Sequence, residues 1–313
     1  MKRMFFVLGL LLAFSAADAG AQVLIDLKRG GGVRAKTADD YAAQQQTVRR
    51  TEADSTQWSD CVRRALNALA VDSLDEAQTL LERALALRPE AEANYVVLDN
   101  LGRIALARGN YREADSHLTR ALRLSPAYQP ARLTRAAVRL EAGRPRETLE
   151  DVEALERLQL DSVARRQTLC LRFGAHMQQR LYAQARQDAA SLLARSADDA
   201  GAALMLILAC EAEGRSAEAL ERANLFVERH PDMADGLALR ARLLQAAGLY
   251  DAALDDLERA IRLNPREADL HTARAEALLE LGRTTAARAA LDEAVRLGTP
   301  RAHLNTLYRR ARR

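Results

Sequence analysis

Lysine is almost missing from this chain: Lys2, Lys28 and Lys36 stand against 43 arginines, and none follows Lys36. A compositional habit of the genome accounts for that bias better than a function does. Cysteine is scarce as well. Cys61, Cys170 and Cys210 are an odd number with no CxxC, which excludes a dense disulfide framework. They read as small apolar side chains in helix packing, with one Cys170–Cys210 pair as the alternative. Trp58 is the only tryptophan and aromatics make up 4% of the chain, so a surface of clustered aromatics for glycan binding has little to build on. The five histidines, His117, His176, His230, His271 and His303, form neither HxxxH nor HExxH. No GxSxG or phosphate-binding GK[ST] loop occurs, and "RGGGVR" at residues 29–34 has no strand before it. Catalytic, metal-binding and cofactor-binding constellations are therefore all absent from the sequence, and it reads as non-enzymatic.

Excess charge is missing too. The whole chain carries +3. Without Lys2, Arg3 and Asp18 it carries +2, and the last thirteen residues alone hold five arginines and no acid, which leaves −3 for the body between. A near-neutral body is not a nucleic-acid footprint. A long apolar stretch is also lacking. The run from Met4 to Phe14 falls short of the ~20 residues a spanning helix needs. With Lys2 and Arg3 before it and Ala19-Gly20-Ala21 after it, it has the order of a secretory signal at residues 1–21, cleaved after Ala21. The expectation is an exported chain, periplasmic or secreted, without a stable membrane span.

What the chain does have is repetition. "GNYREADSHLTRALRLSP" at 109–126 and "GLYDAALDDLERAIRLNP" at 248–265 agree at nine of eighteen positions. Steps of 12, 7 and 5 residues run through Gly102, Ala114, Ala121 and Pro126, and again through Ala241, Ala253, Ala260 and Pro265. They recur from Ile207 to Pro231, from Ala65 to Pro89 and from Ala275 to Thr299, with weaker copies from Ala136 to Leu160 and from Phe173 to Ala197. Copy ends lie 34 or 37 residues apart from Pro89 to Thr299. Each copy reads as two helices, the first stopped by glycine and the second by proline. Small residues such as Gly102 and Ala114 let the pair approach closely. One hairpin cannot bury its own apolar stripe, so successive hairpins stack.

The pattern resembles the tetratricopeptide repeat family, whose signature places small residues, an aromatic and a closing proline at these steps in about 34 residues. "LDNLGRIALARGNYREADSHLTRALRLSP" and "LALRARLLQAAGLYDAALDDLERAIRLNP" carry the resemblance most fully. It implies an all-α, right-handed superhelical solenoid of seven repeats over residues 58–299, at about 58–94, 95–128, 129–162, 163–199, 200–233, 234–267 and 268–299. Around them the sequence suggests a flexible leader at 22–40, a helical cap at 41–57, and a C-terminal capping helix with a basic tail at 300–313.

The resemblance also implies that first helices line a concave side that holds a protein or peptide partner. A carboxylate-gripping version would want lysine and asparagine there; Arg103 and Arg242 face the right way by spacing, but the asparagines are missing. Leu133, Ala137, Leu140, Met177 and Leu204 fall at inner positions and suggest an apolar strip, with Cys170, Gly174 and Ala209 beside it. Asp99, Arg103, Asp235, Arg242, Asp269 and Glu276 give charged rims. That strip is either a groove for an amphipathic helix or extended apolar peptide, or is covered from within by tight curvature or by Val23-Leu24-Ile25. The expected function is a non-catalytic binding scaffold of the cell envelope. The alternatives are a structural homo-oligomer with no separate ligand and a glycan-associated assembly factor. The acidic pairs Asp198-Asp199 and Asp255-Asp256 read as helix starts or solvated outer faces.

Overall fold

The computed structural model describes residues 38–312. The expected signal segment at 1–21 and nearly all of the leader lie outside the described residues. Fifteen α-helices and no strand occur among the described residues. α1 (Ala38–Ala70) and α2 (Leu74–Leu87) make the first hairpin. α3 (Asn94–Ala107) with α4 (Tyr111–Leu124), and α5 (Gln129–Glu141) with α6 (Pro145–Glu156), make the next two. α7 (Ser162–Gln178) is followed by α8 (Tyr182–Leu193), then by the pairs α9 (Ala200–Ala212) with α10 (Ser216–Arg229) and α11 (Ala234–Ala246) with α12 (Tyr250–Leu263). α13 (Ala268–Glu280) and α14 (Thr284–Arg296) form the last pair; a 3-10 turn at Arg301–Leu304 and α15 (Asn305–Arg310) close the chain.

Each boundary has a local cause. Five of the turns inside hairpins carry glycine in the left-handed region, for example Gly109 at φ 74° and Gly248 at φ 76°, where a side chain would cost energy. The first hairpin does without it, with Asp72 at φ 57°, and the link after α7 has Arg180 at φ 61°. Second helices end where a residue precedes proline. Arg88, Ser125, His230 and Asn264 all leave helical backbone, with φ between −139° and −128°, because the proline ring clashes with a helical predecessor. Asp199 caps α9 by accepting a hydrogen bond from the Ala202 N–H at 2.9 Å.

The expected cap at 41–57 is not a separate element: the backbone runs as one helix from Ala38 through Ala70, since no glycine or proline interrupts that stretch. At the other end, Pro300 is extended (φ −59°, ψ 126°) and the closing segment splits into a 3-10 turn and a short helix. Leu304 and Tyr308 are buried there, and the Tyr308 hydroxyl donates to Asp292 at 2.6 Å.

Two compact units divide the chain, residues 1–178 and 179–313, so the boundary falls inside the weak copy around Phe173. In the first unit, α1 to α7 pack each on the next, and α5 also touches α3 and α7, which joins first helices side by side. The second unit repeats the scheme from α8 to α15, with α11 touching α13. The small positions sit where helices meet: Ala65, Ala114, Ala121, Ala136, Ala241, Ala253 and Ala275 are all wholly buried. Gly102 marks a close approach in its hairpin, for a Cβ there would lie 2.6 Å from Leu118 Cγ. All three cysteines are buried and none is in a disulfide, so the alternative Cys170–Cys210 bridge is not formed.

Polar contacts add a second layer to the stacking. Trp58 Nε1–H donates to Asn94 Oδ1 at 3.0 Å, and the Asn94 amide donates to the Arg88 and Pro89 carbonyls, which ties α1 to the link between the first two hairpins. The turn of one hairpin also grips the second helix of the hairpin before it. Arg108 pairs with Asp75 and Gln78, Arg144 with Asp115 at 3.0 Å and Arg283 with Asp251 at 2.9 Å. Between α8 and the turn after α9 the signs are reversed, with Arg186 on the helix and Glu213 on the turn at 2.7 Å. Exposed pairs of this kind add at most about 1 kcal/mol each.

Candidate functional site: the first-helix face

The expected apolar strip is largely consumed by packing. Ala137 and Leu140 are 2% and 1% exposed, and Leu204 is 8% exposed. Leu140 fills the space above Gly174, where a Cβ would meet Leu140 Cδ2 at 2.7 Å. α5 touches α3 and α7 side by side, which leaves no gap for Ala137 and Leu140 to face outward. Leu133 and Met177 remain half-buried, and Leu133 leans on two core clusters. The reading of an open leucine strip therefore needs correction: α5 and α7 present at most Leu133 and Met177 beside a closed seam. Of the two arginines, Arg103 is half-buried on α3, and Arg242 on α11 is exposed and paired with Glu211 of α9.

The polar side of the face is richer than the sequence suggested. Asp99 occupies on α3 the register that Leu133 occupies on α5, three residues before the small position. It is 2% exposed, and its Oδ1 has no hydrogen-bond partner. Burial pushes its carboxyl up to about 6, against the opposing pull of the Arg103 charge. Tyr95 and Tyr128 meet edge to face at 4.7 Å beside it, and burial together with the charge of Asp99 pushes the Tyr128 phenol up. Glu141 at the end of α5 is half-buried and raised by burial too. In the second unit Asp235, at the start of α11, is raised for the same reason. Tyr95, Tyr128 and Glu141 were missed as candidates. Tyr128 lies in the linker two residues after Pro126, where helical periodicity gives no face.

On the other side of the hairpins lies a second polar group that belongs to the scaffold. Asp151, 1% exposed on α6, accepts from Arg135 at 2.6 and 3.0 Å, from Arg139 at 2.9 Å and from Arg132 at 3.4 Å. Arg139 also reaches Asp115 of α4 at 3.1 Å. Asp256 is held in the same way by a bidentate Arg240 at 2.6 and 2.7 Å and is 2% exposed. This overturns the solvated-outer-face reading of Asp255-Asp256: Asp255 is exposed but Asp256 is buried. The signal was available, because Arg135 to Asp151 and Arg240 to Asp256 are the same step of 16 residues.

Tetratricopeptide repeat models match residues 59–127, 171–234 and 239–302, well over half of the chain. The chain belongs to the tetratricopeptide repeat family. No curated protein matches it. Among solved structures it is similar to a tetratricopeptide repeat protein from Parabacteroides merdae, with a TM-score of 0.71 and 21% identity over 82% of this chain and all of that one. It also resembles pilF of Pseudomonas aeruginosa (TM-score 0.54, 18% identity, 72% of this chain and 99% of that one). The type IV pilus biogenesis factor PilW is a third (TM-score 0.59, 16% identity, 69% and 97%). At these identities the likeness shows the fold. Tetratricopeptide repeats are in general protein-interaction scaffolds. Among the described residues no group of His, Cys, Asp and Glu is placed to hold a metal ion, and no helix is long and apolar enough to cross a membrane.

Proposed function

We propose that this tetratricopeptide array is a non-catalytic scaffold of the cell envelope that holds a peptide or protein partner against its first-helix face. One observation carries the reading. Asp99 is a buried carboxylate whose Oδ1 receives no hydrogen bond, on the face that lines ligand grooves in this family. A buried acceptor left unpaired costs about 1–3 kcal/mol, a cost that a donor group from a partner would remove. Arg103 and Tyr128 border it with a charge and an aromatic edge, and Leu133 holds the same register on the neighbouring first helix, a mixture that suits an extended peptide.

Photo-crosslinking tests the face directly. A benzoylphenylalanine placed at Leu133 should capture a discrete envelope protein from living cells, whereas one at the exposed Arg112 of α4 should not. Equal capture at both positions, or none at Leu133, would remove the first-helix face from consideration. Adducts at twice the chain mass would favour the homo-oligomer. The envelope location rests on the order of residues 1–21. N-terminal mass analysis of the protein recovered from its own cell should begin at Gln22; an intact Met1 contradicts export.

A further inference from the structure

The end of the second unit carries charge of one sign that its own packing leaves unused. Between residues 280 and 312 there are seven arginines against Glu280, Asp292 and Glu293. Three of the seven are matched to carboxylates: Arg283 with Asp251, Arg296 with Glu293, and Arg310 with Glu280 at 2.7 Å. The other four, Arg288, Arg301, Arg309 and Arg312, are exposed and have no carboxylate partner among the described residues. Arg288 and Arg301 act on one aromatic ring of the closing segment, and Arg309 and Arg312 lie on or just after the same short helix. The Arg301 guanidinium lies 4.5 Å from the centre of the Tyr308 ring, and the charges of Arg288 and Arg301 both act on the Tyr308 phenol. Arg309 follows Tyr308 directly, and Arg312 lies three residues further on.

The platform beneath them is fixed. Tyr308 is buried and bonded to Asp292, and α15 packs on both α13 and α14. A cluster of guanidinium groups held on a packed cap repels itself, and that repulsion is relieved by an anion.

We propose that this arginine cap docks the array on an anionic phospholipid surface, with phosphate-bearing headgroups bridging Arg288, Arg301, Arg309 and Arg312. A surface suits it better than a nucleic acid. The body of the chain is near neutral, so the cluster is a patch at one end and not a track for a polyanion. The one aromatic of the cap, Tyr308, is buried and its ring covered by Arg301, which leaves no platform for base stacking. Leu304 is buried and Leu307 half-buried, so nothing on the cap inserts. Docking is then electrostatic alone and sensitive to salt.

The test is sedimentation of the full-length protein with vesicles of phosphatidylcholine alone or with phosphatidylglycerol added, at low and at physiological salt. Phosphatidylcholine vesicles measure whatever the apolar run Met4–Phe14 contributes. Each guanidinium near an anionic surface is worth about fivefold in partitioning. R309Q/R312Q should therefore lower the phosphatidylglycerol-dependent binding by roughly twenty-five-fold, and higher salt should lower it for the parent protein. R112Q/R123Q, at exposed positions of the first unit, should leave it unchanged. Circular dichroism melts should coincide for all three proteins. The proposal fails if phosphatidylglycerol adds no binding, or if both double variants lose it equally. It also fails if inorganic phosphate at matched phosphate concentration displaces the protein, which would make the cap a site for free anions. Tighter binding to duplex DNA than to the vesicles at the same salt would replace the lipid by a nucleic acid.

Discussion

Adding one methyl group at Gly102 should loosen the second hairpin, and a second substitution, taken from the third hairpin, should tighten it again. A Cβ at Gly102 would stand 2.6 Å from Leu118 Cγ, 2.9 Å from Cδ2 and 3.2 Å from Cδ1. The nearest atom is the branch point of a wholly buried side chain, which moves aside only by a change of χ1 that the close packing around it resists. Overpacking of this kind costs about 1–3 kcal/mol. Alanine also gains ~1 kcal/mol over glycine inside a helix. The balance is a loss of about 1 kcal/mol for Gly102→Ala. Leu118→Val alone removes one buried methylene and costs about 1 kcal/mol. The double variant recreates the arrangement of Ala136 with Val152, which are wholly or almost wholly buried sixteen residues apart. It should return to within ~0.5 kcal/mol of the parent, where simple addition predicts a loss of about 2. Urea titration followed by circular dichroism measures the stability. Hydrogen exchange of the α3 and α4 amides assigns the change to the first unit, since two units can unfold separately. Three other hairpins pair a buried alanine with a buried leucine at this step, for instance Ala241 with Leu257. Should Leu118 swing aside as easily as that, Gly102→Ala would stabilise by about 1 kcal/mol, and close helix approach would not be the reason for the glycine.

Three other expectations test different parts of the account. Ala253→Leu should cost about 1–3 kcal/mol in a melting experiment, because Ala253 is wholly buried, whereas Asp255→Leu at the exposed neighbouring site should stay within ~0.5 kcal/mol; equal shifts would mean that the helix register is wrong. Asp256→Ala should cost on the order of 3 kcal/mol by stranding the Arg240 guanidinium, while Asp256→Leu with Arg240→Met should recover most of it, and failure of the double variant to recover would show that the pair does more than satisfy itself. Asp99 is raised by burial to about 6 from an ordinary value of 3.8, so the folded state holds a proton that the unfolded state releases; the parent should lose up to about 3 kcal/mol relative to Asp99→Asn as pH rises from ~4 to ~6 and stay level above that, and parallel stability curves for the two proteins would contradict the orphaned carboxylate.

The hairpins were legible because their causes are local. Glycine after the first helix, proline after the second and alanine at the contacts are each set by backbone geometry or helix spacing, and each recurs at a fixed step. Side-chain exposure on the first-helix face was less legible because it depends on what lies alongside. Leu140 occupies a typical ligand-facing register, but Gly174 of the next first helix lets it sink into the seam, and no periodicity within α5 reports that. Asp99 shows the converse: it reads as a rim charge, and only packing around α3 removes its solvent. The buried ion pairs stood between these cases. A carboxylate on an outer-looking helix face seemed solvated, although the repeated step of sixteen residues to an arginine already placed a partner across each hairpin.

The gripping contacts between neighbouring hairpins make their order something that can be spelled. Backbone and alanine contacts are alike enough that one hairpin would stack on almost any other. The charges are not interchangeable. Arg108, Arg144 and Arg283 each reach back to an acid on the preceding hairpin, whereas Glu213 reaches back to Arg186. Transplanting the second hairpin to follow α8 would set Arg108 against Arg186, and transplanting the fifth to follow α2 would set Glu213 against Asp75. Like charges would meet at both new junctions. Four hairpins thus carry a charge matched to their predecessor, and exchanging one of the arginine kind with the one of the glutamate kind sets like charges together.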